Sequence, residues 1–209
     1  VLDMSQTAGL VDCDVGRNTF DFAVFAGHKT LYGPTGISGF IMKPDINLPP
    51  VLFGGTGYDS ANQDMPDSLP EKYEMGTSNI AGIAGLNAAL QWNQKIGIQN
   101  IFEHEQKNRK KLLEILSQYD FITIVGNASA QQYVGIVSCL FDGISSDIAG
   151  SLLSEHGVSV RTGLQCAPLA HKFLGTYPAG TIRFSVGHFT SEEDYNALTN
   201  ALDYIDQNI

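Results

Sequence analysis

No run of eighteen apolar residues occurs in the 209-residue chain, so no membrane-spanning helix is expected. Basic residues are few. Lys and Arg total 12 against 22 Asp and Glu, a formal net charge of −10. A nucleic-acid backbone is bound by a basic face, and this balance argues against one; the acidic excess is read as solubility. Cysteine is scarce as well. Cys13, Cys139 and Cys166 are too widely spaced for a CxxC redox pair or a zinc-ligand pattern. No metal site is expected, and a low, odd count points to a reducing compartment, the cytoplasm. The opening residues VLDMSQTAGL have no basic stretch followed by an apolar core, so no signal peptide is read there. They look entered in mid-strand. No internal repeat or low-complexity tract is visible.

What is present is the composition of a globular protein, 43% hydrophobic and 16% charged, long enough for one large domain or two modest ones. Strands are expected at Val1–Met4, in FDFAVFAG from Phe20, and in GISGFIMK from Gly36. A long loop rich in Pro, Gly and Asp runs from Lys43 to Tyr73; loops of that length are usually functional. A helix begins at Ser78 and stops at Gly97. A second starts at Ile98, with Ile98, Ile101, Phe102, Leu112, Leu113 and Leu116 on its apolar side. Strands FITIVG and YVGIVSCLFDG follow, then a helix capped by Ser145 or Ser146 and closed by Gly157. Strand VSVRTG, loop LQCAPLAHKFLGTYPAG and strand TIRFSVG lead to a last helix. Thr190 and Glu193 read as its capping box, and Tyr195, Leu198, Leu202 and Ile205 as its buried stripe. The fold class is α/β: residues 1–95 form part of a sheet domain, and 96–209 a smaller α+β domain.

Lys29, in FAGHKTLYGPTG, ends an apolar strand. A lysine held in place and partly desolvated is available as a neutral amine, a nucleophile toward carbonyls. Taken alone it is equally an ordinary strand-end lysine reaching water, the commoner case. Asp3 ends the preceding strand. If the two strands are parallel neighbours, carboxylate and amine meet at the carboxyl edge of the sheet, where α/β folds bind ligands. A carboxylate to pair with a pyridine nitrogen and a lysine to form an imine suit pyridoxal phosphate. Gln6 lies within reach as a donor to the phenolic oxygen.

VLDMSQTAG, FAGHKTLYGPTGISGFIM, FGGTG, YEMGTSNIAGIAGLNAAL, VRTGLQCAPLAH and GTIRFSVGHFTSEED together resemble the class V aminotransferase family of fold-type I pyridoxal phosphate enzymes. The nearest likeness is its cysteine desulfurase and selenocysteine lyase branch. The motifs follow the family's order over almost the whole chain. The resemblance implies the end of a large domain with a mainly parallel sheet, followed by a small α+β domain. It also implies conversion of cysteine or selenocysteine to alanine by a homodimer, with sulfur left as a cysteine persulfide for an acceptor protein. Lys29 matches the lysine that binds the cofactor and moves the α-proton, Asp3 the partner of the pyridine nitrogen, and Gln6 the donor to the phenolic oxygen. His28 matches a phosphate contact. Thr77 matches a residue reaching the phosphate of the other subunit. Arg183 matches the arginine gripping the substrate carboxylate, as a planar fork can, and Arg161 lies near the same site. Cys166 matches the sulfur-accepting cysteine, whose thiolate calls for nearby positive charge; Arg161 is the candidate source. Cys13 and Cys139 read as incidental or buried.

Three departures stand out. Ala26 replaces a serine common in the family, and Leu164 and Gln165 stand where relatives carry two histidines. Members are roughly twice this length, so the chain looks like a C-terminal fragment without the ring-stacking residue and the phosphate loop. Two other readings remain open: a transaminase or other lyase in which Cys166 is inert, and a non-catalytic piece that needs its N-terminal half.

Overall fold

Aromatic and β-branched residues favour extended backbone where one face is buried, and Phe22–Ala26 follows that rule. It is β2, the middle strand of a three-stranded sheet flanked by β1, Leu2–Asp3, and β3, Ser38–Met42. This computed structural model describes residues 1–17, 20–126 and 133–209. The chain divides into two compact units, Val1–Asn100 and Ile101–Ile209.

In the first unit β1 and β2 are parallel, with Asp3 opposite Val24, and β3 is antiparallel to β2, with Ser38 opposite Ala26. The sheet is therefore mixed. The link between β2 and β3 is too short for the crossover that parallel strands need. Met4, Ala8, Ala23 and Leu31 form a small core, with Leu2, Phe25 and Leu86 packed against it. The long loop is pinned near its end by a short 3-10 turn, Glu71–Tyr73, where the Tyr73 hydroxyl donates to the Leu48 carbonyl at 2.8 Å.

Helix α1, Ile80–Ile96, starts two residues later than the Ser78 its sequence suggests. Asn79 is the cap: its Oδ1 accepts from the Gly82 N–H at 3.0 Å and its Nδ2 donates to the Gly36 carbonyl at 3.1 Å. Further along, the buried Asn93 donates to the Leu31 carbonyl at 2.8 Å. The helix comes so close to the 27–36 loop that a Cβ on Gly85 would lie 2.8 Å from Pro34 Cγ. Thus α1 fixes the loop that carries His28 and Lys29 from both of its ends.

Most of α2, Ile98–Leu116, belongs to the second unit. Its buried stripe is Ile101, Glu105, Asn108, Arg109, Leu112 and Leu116, at helical spacing. Ile98 is exposed, and Phe102 and Leu113 are half-buried, so the expected apolar side is partly replaced by polar residues. Each of these has a task. Glu105 accepts from the Gly135 N–H at 2.6 Å, Asn108 donates to the Gly187 carbonyl at 2.8 Å, and Arg109 lies 4.6 Å from the Tyr133 ring.

Four strands follow in the order β4 (Ile122–Val125), β5 (Ile136–Phe141), β7 (Thr181–Ser185), β6 (Arg161–Gly163), every pair antiparallel. Helices α3 (Ser146–Glu155) and α5 (Glu192–Asp206), with α2, cover one face. Strand alternation decides which side chains enter that core: Val137, Cys139 and Phe141 from β5, Ile182 and Phe184 from β7, packed on Leu153, Tyr195, Leu198, Leu202 and Ile205. Ser145 caps α3, while the Ser146 hydroxyl donates to the Ala179 carbonyl. The cap of α5 is Ser191 with Asp194, one residue beyond the expected Thr190 and Glu193. Thr190 is engaged elsewhere, accepting from the Gly187 N–H at 3.0 Å. A short helix, α4 (Pro168–Phe173), lies in what reads as loop. Among the described residues no helix is long and apolar enough to cross a membrane.

Replacing Asn93 by Ala leaves the Leu31 carbonyl without its donor. It should cost about 1–3 kcal/mol in chemical denaturation, and an unchanged midpoint would contradict this account of the loop. Burial raises the Glu105 carboxyl above its ordinary 4.5, with the Gly135 N–H opposing. The folded state then holds a proton that the unfolded chain has lost, so this group's stabilising contribution falls as pH rises through that window. Glu105→Gln does not titrate. Its stability relative to the parent should therefore grow as pH rises above the ordinary carboxylate range in urea titrations; parallel profiles would refute the assignment.

Candidate active site

In the first unit the sheet does what parallel pairing predicts. Asp3 closes β1 and Lys29 lies just past the end of β2, so both belong to the carboxyl edge of a parallel pair. Asp3 is held as a carboxylate. Its Oδ1 accepts from the Ser5 N–H at 2.8 Å, and the Ser5 hydroxyl, that N–H and the Lys29 charge together hold it below the usual carboxylate range. Gln6 lies in the turn that follows β1, where the Ala8 N–H donates back to the Met4 carbonyl. Asp3, Gln6, His28 and Lys29 are all exposed in this unit.

The lysine loop folds back on itself. The Gly33 N–H donates to the Gly27 carbonyl at 2.7 Å, and the Tyr32 N–H to the Lys29 carbonyl at 2.9 Å. A Cβ at Gly33 would lie 2.7 Å from the Gly27 oxygen, too close for any other residue. Gly33 is thus required by backbone crossing backbone, and Gly36 by its left-handed φ of +78°. Thr77 is exposed two residues before the α1 cap. Its motif is joined to FGGTG by the Gly76 N–H, which donates to the Gly55 carbonyl at 2.7 Å.

The second unit brings Arg161, Cys166 and Arg183 together. Register places Arg161 directly opposite Arg183. Ile182 and Phe184 are buried against the helices, so alternation puts Arg183 on the other face of the sheet. Arg161 Nη2 donates to Cys166 Sγ at 2.9 Å. Burial first, then the charge of Arg161, pull the Arg183 guanidinium below its usual range, and Cys166 opposes them. Cys166 is exposed, whereas Cys139 is buried, its thiol pushed up to about 12 by burial. Cys13 is exposed. Cationic fork and sulfur are in direct contact, and two guanidiniums side by side can take a carboxylate.

Some positioning residues carried little signal. Asn93 sits in an Ala- and Gly-rich helix, where one polar residue on the packed side is the only hint. Ser5 is foreshadowed by the D-x-S spacing, which lets an aspartate accept from the backbone two residues on.

The chain matches the family model described as aminotransferase class-V over residues 1–198. It is 32% identical over 211 residues to a probable cysteine desulfurase of Methanothermobacter thermautotrophicus, covering 98% of this chain and 52% of that protein. A cysteine desulfurase of Haloferax volcanii is 32% identical over 206 residues, 97% of this chain and 47% of its own length. The apo structure of a cysteine desulfurase from Thermococcus onnurineus NA1 superposes with a TM-score of 0.85 at 29% identity, covering 99% of this chain and 52% of that one. The chain thus spans about half the length of the curated relatives it matches. With motifs, register and relatives in agreement from one end to the other, the chain belongs to the class-V aminotransferase family.

Proposed function

We propose that this chain is part of a pyridoxal-phosphate-dependent cysteine desulfurase, which converts L-cysteine to L-alanine and takes the sulfur onto Cys166 as a persulfide. The setting of Cys166 carries the reading: an exposed thiol to which Arg161 donates at 2.9 Å. An inert thiol would resemble Cys139, buried with no charge beside it. The relatives named cysteine desulfurase support the same assignment.

The donor set of the first unit fits the cofactor. A carboxylate kept charged by Ser5 suits a protonated pyridine nitrogen, and Lys29 shares its sheet edge. Gln6 is assigned to the phenolic oxygen, and His28 and Thr77 to the phosphate. Pyridoxal phosphate, when bound, supplies an aldehyde that condenses with amines and a ring that accepts electrons released at Cα. Lys29 Nζ takes and returns the Cα proton. Arg183, with Arg161 beside it, holds the substrate carboxylate by paired N–H donors. The Cys166 thiolate attacks the substrate sulfur; an S–S bond forms as the carbon–sulfur bond breaks, and the carbon takes a proton and leaves as alanine. A second thiol, on an acceptor protein, then removes the outer sulfur. Selenocysteine would follow the same course.

The working enzyme is read as a homodimer longer than these residues. Val51, Leu52, Phe53 and Ile80 are 87%, 67%, 67% and 74% exposed, more apolar surface around the FGGTG and EMGT motifs than a monomer usually leaves open. A reducing compartment such as the cytoplasm fits three free cysteines.

Mixed with pyridoxal phosphate, the protein should develop a visible absorption band that borohydride bleaches and fixes on Lys29. Lys29→Ala should abolish it; a band that survives the substitution would remove the lysine from its role. Cysteine turnover should fall at least about 100-fold in Cys166→Ala with the band intact. Wild-type turnover in that variant would leave a transaminase or another lyase in place of the desulfurase. Arg183→Lys keeps the charge and loses the fork, so KM for cysteine should rise about tenfold or more. An unchanged KM would assign the carboxylate elsewhere.

A further inference from the structure

We propose that Gln165 is a positioning residue that holds the Cys166 sulfur against Arg161, an inference that rests on the reading of Cys166 as the sulfur acceptor. The Ala167 N–H donates to the Leu164 carbonyl at 2.8 Å, closing a four-residue turn. Its two central residues, Gln165 and Cys166, have φ of 52° and 62°. Both lie in the left-handed region, the pattern of a type I′ turn, which favours Asn and Gly. Neither is present, so the turn runs against the preference of its own residues and has to be held from outside.

The Gln165 carboxamide is what holds it. Nε2 donates to the Arg161 carbonyl at 2.9 Å, and lies 3.3 Å from the carbonyls of both Gly163 and Thr181. Two N–H groups are shared among three acceptors at the end of the β6–β7 ladder, where Gly163 pairs with Thr181. One of those acceptors belongs to Arg161, the residue whose guanidinium meets Sγ. A closed loop of contacts results: Arg161 backbone to Gln165 side chain, Gln165 to Cys166 by the chain, Cys166 sulfur to the Arg161 side chain. Oε1 is left buried without a partner; reversing the amide would point that oxygen at three carbonyl oxygens instead. Gln165 has no ionisable proton to exchange with a thiol, so where the resemblance leads one to expect histidine, this chain has a clamp. The charged contact to the sulfur comes from Arg161 instead.

The test is alkylation of Cys166 by iodoacetamide in the full chain carrying Cys13→Ser, followed by mass spectrometry of the Cys166 peptide. No cofactor is needed. Arg161→Ala should slow the reaction about tenfold. Gln165→Met, which keeps the shape and loses the donors, should slow it to a similar degree. The double variant should be no slower than the slower single one, because both remove the same contact. Gln165→His, with one ring N–H, should lie between Gln165→Met and the parent. Parental reactivity in Gln165→Met would overturn the proposal, and so would losses that multiply in the double variant. Should Gln165→Met fail to fold, Gln165→His carries the test: it should react more slowly than the parent and lose nothing further with Arg161→Ala, and any other outcome overturns the clamp. Coupled alkylation without cysteine turnover would remove the desulfurase reading alone. Turnover with uncoupled alkylation would remove Gln165 alone.

Discussion

Arg161 and Cys166 are five residues apart, and an extended chain would separate them by roughly 16 Å. Their contact at 2.9 Å exists because the backbone reverses between Leu164 and Ala167. Much of the second unit is arranged to keep that reversal in place. The β6–β7 register sets where β6 ends. Gly180, at φ +75°, lets the following turn lie directly on Gly163, where a Cβ would come within 2.1 Å of the Gly163 carbonyl carbon. Helix α3 ties both sides: Asp147 accepts from the Thr162 hydroxyl at 2.9 Å, and Ser146 holds the Ala179 carbonyl. On the far side the buried His171 meets the Thr176 hydroxyl at 2.7 Å, joining α4 to the same turn.

The electrostatics follow from the register. Two guanidiniums directly opposite each other in an antiparallel pair repel, and burial penalises the charge of Arg183 further. Such a pair is stabilised by an anion. The Cys166 sulfur already takes one donor of the pair, Arg161 Nη2 at 2.9 Å. A carboxylate is an anion that the pair has donors for. The polar face of the sheet is therefore incomplete by itself, while the opposite face is a closed apolar core with Ile182 fully buried. The arginine pair and the apolar core are separated by the period of the strand.

Period and punctuation made most of this legible. Alternation in IVSCLF and TIRFS gives both the core and the outward arginine, and the helix over Glu192–Asp206 buries the stripe of Tyr195, Leu198, Leu202 and Ile205 that its spacing predicts. Residues with two possible partners were less legible. Thr190 and Ser191 are equally good caps by composition, and a bond from Gly187 decides between them. Glu105, Asn108 and Arg109 lie on the buried side of α2 because peptide groups and a ring distant in sequence face them, which no helical period reports. The turn at Gln165 was illegible for the opposite reason: its local sequence argues against the conformation it adopts.

Lysine and cysteine pose different positional problems, and the two units answer them differently. Lys29 has a four-carbon arm, so its amine can reach a point at which its backbone is not aimed. Its loop uses Gly27 and Gly33 to let backbone cross backbone, with Asn79 and Asn93 anchoring it from α1. A cysteine has almost no arm. Its sulfur goes where the backbone sends it, so precision has to be supplied by main-chain geometry, even at a conformation that glycine would adopt more readily. Glycine cannot carry a thiol, so position 166 has to bear the strain itself. That is why the strained non-glycine pair of the second unit lies at the sulfur that meets Arg161, and why the residue beside it gives all of its side-chain donors to backbone carbonyls.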